Sequence, residues 1–583
     1  MLGGQEEMPQ LRVALVHAVD QRIADTQMFG IHFMPVWAYT LAAHLEDVPG
    51  VEVVLHDLRL EALPAPLAAD VYLFTGINQD CDAILATAAE VRKRAPHARL
   101  VIGGPICWSY EMAGRLGKLD VFDHVFIGDG EETLPAFVRG LQGGDPGPRV
   151  VRAARRFDLS QARPMNDRLL RATAARYYGG VLEVSRGCPF LCEFCDIRVQ
   201  PDNNRTHVKP VELIVRELDR FWELGIRQTL LACDHFAGDP RWAEAVCDRI
   251  VEWKAATGRS MSLYTWLTID LYNHPRLLQR LRAAGFDMFF IGVESFNRAS
   301  LMETAKIQNT TLDLVQALRT IQSYGFIVVA GLIMGFDTDT EDIVDVTLKG
   351  ILESGLISGD PSLLTALPGT PLYRRMQLSG RLRDAKLGLG GFKYQTNIRY
   401  LRTQASIRND FKRFVRDFNR GAYQYARLRA FLSVLGSSTT YAPPASTTGY
   451  ANLGRLLAMT LRKPLYLLLL LGRVARLVGN PVRLAYILRA AVLVARRSTP
   501  SRPLWFYFKF WLFNWSNSLV KYSGLSARDF DIESVPADFD MKDLLPEAYE
   551  TPVAAESATS KVHAQRKLTA QSLKVLMSSR PEA

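Results

Sequence analysis

Acidic residues are missing from one long stretch of this 583-residue chain: between Phe418 and Arg528 there are sixteen lysines and arginines and no aspartate or glutamate. The net charge of +10 is therefore local, and its counterpart, whether anionic membrane, nucleic acid or water, has to be sought at that segment. Long uncharged apolar runs are also missing. The longest in the first part of the basic apolar region, Pro464 to Gly472, falls far short of the roughly eighteen residues a bilayer-spanning helix needs. The N-terminus, Met1 to Glu7, has no basic stretch followed by an apolar one, so no signal peptide is read there. Cysteine is scarce, seven in all with three packed into eight residues, which is not the even framework of a secreted disulfide protein. A reducing cytoplasm is expected.

What is present is an ordinary globular balance, 48% hydrophobic and 22% charged, which sets aside a disordered or fibrous reading. At roughly 150 residues per domain, the length predicts three or four units. Over 11–145, short apolar runs (Leu11–Ala18, Val51–Leu58, Val71–Ile77, Arg99–Pro105, Asp123–Gly130) alternate with helix-like stretches, the pattern of a parallel sheet covered on both faces. This predicts an α/β, doubly wound, Rossmann-like domain with its ligand at the carboxyl ends of the strands. There Thr75, Gly76, Gly103, Gly104, Pro105, Gly128 and Gly130 would let backbone approach a flat or phosphate-bearing ligand. Any single glycine among them reads more readily as a turn. A linker, 146–175, leads to six further strand-like runs separated by helices, from Gly180–Gly187 to Ser362–Gly369. They predict a partial, TIM-like βα barrel over 176–375, with its chemistry on the loops that follow the strands. Beyond it are expected an α-rich appendage (376–435), a basic apolar helical region (450–525) and a polar, flexible tail (530–583).

Cys188, Cys192 and Cys195 follow the first barrel strand, with three and then two residues between them. Iron–sulfur clusters take thiolate ligands, and a loop of this spacing can hold three corners of a 4Fe-4S cube and leave the fourth iron open. The alternative is a zinc knuckle with a distant fourth ligand such as His207, although zinc sites ordinarily show paired Cys-x2-Cys or Cys/His units. Cys81, Cys107, Cys233 and Cys247 read as small core residues.

The stretch Ser185–Ile197, which carries the three cysteines, resembles the radical S-adenosylmethionine (SAM) proteins with an N-terminal cobalamin-binding domain. Ile291–Ser295, Gly331–Thr340, Leu363–Tyr373 and Thr396–Tyr400 match in the same order, and the resemblance covers about 11 to 430. The subgroup it looks most like includes enzymes that modify hopanoid and tetraether lipids. The resemblance implies SAM chelated to the open iron and cleaved by an electron from the cluster. By position, Phe190 and Phe194 would cover the cluster and pack near adenine, Asp234 would bind the SAM amino group, and Glu294 would accept from the ribose hydroxyls. Gly331 and Gly335 would let SAM close to the backbone. The plain alternatives are core aromatics and structural strand-end acids. Two departures bear on reaction type and substrate pocket. Relatives usually carry two acids and an asparagine where this chain reads Cys233-Asp234-His235-Phe236, and often a glutamate where it places Trp266.

The same resemblance implies cobalamin, held by the loops at 75–78, 103–107 and 128–132. The chain lacks the Asp-x-His-x-x-Gly run that supplies an axial histidine, and His17 reads as an ordinary loop residue; many relatives bind cobalamin without a histidine, and a domain that has lost the cofactor is the alternative. The implied reaction is methylation of an unactivated carbon on an apolar, lipid-like small molecule, with flavodoxin or ferredoxin as reductant. Cyclisation or rearrangement without methyl transfer, and a cobalamin or iron–sulfur sensor docking at membranes, are the other readings. In the basic segment Arg455, Arg462, Lys463, Arg473, Arg476, Arg483 and Arg489 recur among leucines, and Trp505, Phe506, Tyr507, Phe508, Phe510, Trp511 and Trp515 form an aromatic cluster. This predicts interfacial helices on the anionic, cytoplasmic face of a membrane, or else a helical cap on the barrel. Transfer-RNA-modifying proteins of the barrel type carry a different N-terminal cysteine domain and a β-rich RNA module, so nucleic acid is not expected.

Overall fold

Val13 to Val16 are four consecutive apolar residues with no exposure at all, which fixes the first strand inside a sheet covered on both faces. The computed structural model describes residues 10–19, 33–310, 313–383, 394–444, 457, 464–523, 525, 530–550 and 560–579. These fall into two compact units: one holds the described residues up to Glu183 together with Glu212–Ile226, and the other holds the remainder.

In the first unit, strands β1 (Leu11–His17), β2 (Val51–Asp57), β3 (Val71–Thr75), β4 (Arg99–Gly103), β5 (His124–Ile127) and β6 (Val150–Arg152) form one parallel sheet in the order β2-β1-β3-β4-β5-β6. The order reverses between β1 and β3, the switch point at which doubly wound sheets bind ligands. Tyr72, Phe74, Leu100, Ile102 and Val125 fill the core on the side of helices Cys81–Arg94 and Pro105–Met112. The expected linker is corrected at both ends. Val150–Arg152 extends the sheet beside β5, and Asn166 caps helix Asp167–Thr173 by accepting from the Leu169 amide at 2.7 Å. Strand β7 (Gly180–Glu183) closes this unit with helix Val211–Glu223. A Cβ at Gly180 would stand 2.5 Å from the Phe221 ring, so glycine permits that close packing.

In the second unit, β8 (Ser185–Arg186) pairs antiparallel with β9 (His207–Val208), closing the base of the cysteine loop. Strands β10 (Gln228–Ala232), β11 (Ser262–Leu267), β12 (Phe286–Glu294), β13 (Ile327–Met334) and β14 (Ser358–Leu363) then run parallel, each beside the next. Helices Pro240–Thr257, Pro275–Ala284, Leu314–Ser323 and Ile343–Ser354 connect them, as a βα barrel requires. Alternate residues differ sharply in exposure. Leu231, Leu263, Phe289, Ile291, Val328 and Ala330 are buried, whereas Trp266 and Phe290, register neighbours on β11 and β12, are each 40% exposed. The sheet therefore has one packed face and one open apolar face.

The C-terminal parts depart from expectation in three ways. The α-rich appendage contains helices Gln404–Phe418 and Gly421–Gly436, but also β15 (Gln395–Tyr400), which pairs in parallel with β16 (Asp531–Ser534). The region expected as a flexible tail supplies that strand and helix Ser560–Ser579, with Leu544, Leu545, Tyr549 and Leu573 forming a small core. The aromatic cluster is not interfacial as a whole. Tyr507, Phe508, Trp511 and Trp515 on helix Trp505–Lys521 are buried against Leu428, Phe431 and Leu435, and the Trp511 and Trp515 indoles donate to the Gln424 and Asn419 carbonyls at 3.1 and 3.2 Å. Apolar surface outward lies instead on helices Pro464–Val478 and Pro481–Arg497. Arg455, Arg462 and Lys463 lie outside the described residues.

Candidate functional site

The cysteine loop leaves its ribbon through Gly187, at φ 90°, where a Cβ would stand 2.0 Å from the Arg205 carbonyl oxygen. Only glycine fits. The Gly187 amide donates to Asp234 Oδ2 at 2.6 Å, the Cys188 amide to the Asn203 carbonyl at 3.0 Å and the Cys195 amide to the Cys192 carbonyl at 3.2 Å. Asp234, just past the end of β10, thus braces the loop at the residue before its first cysteine.

Cys192 is buried, and Cys188 and Cys195 are partly so. Desolvation pushes the Cys188 thiol up to about 12 and raises Cys195 as well, and in each case the neighbouring Cys192 adds to the rise. Three sulfurs so placed repel one another as thiolates unless cations lie among them, which is the environment iron provides. Among the described residues, no three histidine, cysteine or acidic side chains converge as they would on a single ion. Thiolates bound to separate irons of a cube need no common point. His207, the fourth ligand of the zinc reading, has its Nε2 2.6 Å from the Asp202 carbonyl oxygen.

The segment after helix Arg298–Glu303 supplies partners that sequence reading missed. Gln308 Nε2 donates to Cys192 Sγ at 3.5 Å, and Lys306 Nζ lies 5.8 Å from the centroid of the Phe194 ring. Burial opposes the Lys306 charge, but Glu294 and Cys192 outweigh it and raise its pKa. Glu294 ends β12 at φ 63°, beyond a register shift between Gly292 and Glu294, and its Oε1 accepts from Lys306 Nζ at 2.7 Å. A Cβ at Gly292 would fall 2.2 Å from that same Oε1. Positive φ at a non-glycine residue is costly, and it recurs at sites where a side chain must be aimed.

The remaining predicted positions divide. The Phe190 ring packs against His235 with centroids 5.7 Å apart, and His235 is itself buried, 3.8 Å from Asp270. Gly331 makes room for Phe290, whose Cζ would be 2.8 Å from a Cβ there. Gly335, at φ 95°, would bring a Cβ equally close to Tyr400, and its amide donates to Asp339 Oδ2 at 2.8 Å. Both glycines leave room for a neighbouring aromatic ring.

A second network also escaped the sequence reading. Glu193, between the second and third cysteines, is buried and meets Arg375, which carries no exposed side-chain surface. A basic residue on the inner face of helix Pro371–Leu378, beside buried Leu372 and Met376, was the available signal.

In the first unit, Thr75, Gly76, Gly103, Gly104, Pro105, Gly128 and Gly130 do gather at the carboxyl ends of β3, β4 and β5. Gly104, at φ 87°, lies so near Thr75 that a Cβ would be 2.1 Å from its hydroxyl oxygen, and Pro105 and Gly130 begin helices. Beside them, Asn78 Nδ2 donates to Ser109 Oγ at 3.1 Å while its buried Oδ1 has no partner among the described residues; Ile77 is largely exposed. An orphaned acceptor and an open apolar side chain at the switch point suit a large, flat, amide-bearing ligand such as cobalamin. His17 Nδ1 is engaged by the Trp37 indole at 3.4 Å.

Residues 182–349 match the radical SAM superfamily. The chain carries a radical SAM domain. The cofactors of that superfamily are a 4Fe-4S cluster and SAM, and three cysteine thiols on one loop are the ligand type such a cluster takes. The chain is 36% identical over 212 residues to a hopanoid C-2 methylase of Rhodopseudomonas palustris, covering 36% of this chain and 40% of that protein. It is 29% identical over 323 residues to an uncharacterized methyltransferase of Synechocystis sp., covering 55% and 58% respectively. The matched parts thus span about half the length of these relatives. Among solved structures, OxsB, a cobalamin-dependent SAM radical enzyme with aqua-cobalamin and SAM bound, aligns with a TM-score of 0.56 at 14% identity, over 97% of this chain and 84% of its own. That likeness shows the fold.

Proposed function

We propose that this chain is a cobalamin-dependent radical SAM enzyme that methylates an unactivated carbon of an apolar, lipid-like substrate. The observation that carries the reading is three free cysteines on one braced loop, with Cys192 held by Gln308 close to the Glu294–Lys306 pair. The name of the hopanoid methylase relative supports methyl transfer and a lipid-like substrate. The switch-point loops of the first unit, with the orphaned Asn78 Oδ1, support cobalamin.

Cys188, Cys192 and Cys195 would hold the cluster, Phe190 and Phe194 would shield it, and Asp234 and Glu294 would take the SAM amino group and ribose hydroxyls. When bound, the cofactors supply hydrogen abstraction and a transferable methyl group. The chain's own contribution is to orient and to keep water away. Trp266 and Phe290 on the open sheet face would receive an apolar substrate and dry the site, which protects a reactive intermediate. Flavodoxin or ferredoxin would supply the electron.

Peripheral membrane contact forms part of this proposal. Leu468, Leu471, Val474 and Val478 recur at helical spacing and are exposed, as are Val482, Leu488 and Val492 on the following helix. Arg476, Arg483, Arg489, Arg496 and Arg497 accompany them with no acidic residue nearby in sequence. Among the described residues no single helix is long and apolar enough to cross a membrane, and these two helices meet at a 93° bend. An apolar face flanked by arginine suits the anionic cytoplasmic leaflet.

Anaerobic reconstitution followed by incubation with SAM and reductant tests the class: 5'-deoxyadenosine should form in the wild type and not in Cys192→Ala. With methyl-labelled SAM, label should enter the product. An altered but unlabelled product would replace methylation by rearrangement or cyclisation, and absence of SAM cleavage in a fully loaded protein would leave only a sensor.

A further inference from the structure

We propose that Glu193 is a positioning residue for the cluster loop, held by a buried charge network that the C-terminal segment completes through Tyr549. The inference rests on the three cysteines holding a cluster.

Every polar group of Glu193 is engaged. Arg375 grips its carboxylate with both arms, Nε to Oε1 at 2.9 Å and Nη2 to Oε2 at 3.0 Å, and the Tyr549 hydroxyl donates to Oε1. Its amide donates to the Thr304 carbonyl at 2.8 Å, and its own carbonyl accepts from the Leu372 amide at 3.2 Å. Arg375 continues to Glu303 at 3.3 Å and Asp337 at 3.2 Å, and Arg381 binds Asp337 through two bonds of 2.7 and 2.5 Å. Tyr549 is in turn packed into the core of Leu544, Leu545 and Leu573. The network thus joins the cysteine loop, the helix after β14, the turn after β13 and the last part of the chain.

Adhesion alone does not account for it. Three acids and two guanidinium groups are withdrawn from water here, and buried ion pairs commonly stabilise a fold no better than apolar side chains of equal volume. An iron–sulfur cluster, by contrast, is tuned by net charge and hydrogen bonding near its ligands. A carboxylate next to Cys192 in sequence and two positions before Cys195 is such a charge. Arg375 and Tyr549 fix its position and offset its field. Removing the tyrosine hydroxyl should leave the carboxylate less compensated and the cluster harder to reduce; replacing Glu193 by glutamine should make it easier to reduce.

The full-length protein, reconstituted anaerobically, is compared as wild type, Tyr549→Phe and Glu193→Gln for iron and sulfide content, thermal midpoint and cluster midpoint potential by EPR-monitored titration. The expected result is iron content like that of the wild type in Tyr549→Phe, with a more negative potential, and a more positive potential in Glu193→Gln. Potentials in both variants equal to the wild type would overturn the proposal. Should Glu193→Gln fail to fold, Tyr549→Phe decides it alone, since loss of one hydroxyl leaves the local packing in place. A wild-type protein that takes up no iron would fail earlier, at the cluster itself, and would remove this proposal with it.

Discussion

Lys306 Nζ lies 2.7 Å from Glu294 Oε1, at the point where the Glu294 backbone turns through φ 63°. Both side chains are almost wholly shielded from water. Removing one partner of such a pair leaves the other charge buried alone, at a cost of about 3–5 kcal/mol. Lys306→Met, which keeps the length and loses the charge, should lower unfolding free energy by that amount in anaerobic denaturant titrations. A loss below about 1 kcal/mol would mean that the pair is solvated in solution.

Burial, and then the nearby Asp337, push Glu303 up from its ordinary 4.5 to about 8, against the pull of Arg375. A carboxyl protonated in the fold and ionised in the unfolded chain takes up a proton on folding. Its stabilising contribution is therefore complete below about 4.5 and is lost as the pH rises through about 8. Melting temperature should fall for the wild type across that span and fall less for Glu303→Gln, which cannot ionise. Parallel curves for the two proteins would show that Glu303 is ionised in the fold throughout.

Gly187→Ala places a methyl group where the Arg205 carbonyl already stands, at a φ that L-residues seldom adopt. The strain is confined to the ribbon that opens the cysteine loop, so secondary structure by circular dichroism should persist while reconstituted iron falls well below the wild type. Full iron loading would show that the loop tolerates another path.

The outward face of helices Pro464–Val478 and Pro481–Arg497 should sediment with vesicles containing phosphatidylglycerol, and less with neutral ones. Each arginine near an anionic surface contributes about 1 kcal/mol, so the triple variant Arg476→Gln, Arg483→Gln, Arg489→Gln should bind about a hundredfold more weakly. Equal binding of wild type and variant, or equal binding to both lipid mixtures, would remove anionic lipid as the partner of this face.

The strands were legible because each is an apolar run bounded by glycine or a charged turn, and runs such as Val13–Val16 can sit only inside a covered sheet. The three cysteines were legible because their spacing is itself a chemical constraint. The short edge strand Val150–Arg152 was not, since a three-residue strand leaves too little pattern among arginines to separate it from a linker. The aromatic run on Trp505–Lys521 misled for a different reason: composition describes what a helix could face, and Leu428, Phe431 and Leu435, some seventy-five residues upstream in the chain, decide what it does face. Arg375 left only the trace of a basic residue on the apolar face of its helix, and Tyr549 was invisible because nothing local distinguishes a tyrosine that will be matched to a glutamate far away in sequence.

Tyr549 and Glu193 stand 356 positions apart. A ribosome adding roughly 5–20 residues per second would expose the glutamate and its cysteines about 20 to 70 s before the tyrosine that closes on them is synthesised. Metal delivered during translation meets an unfastened loop; metal delivered afterwards meets a latched one.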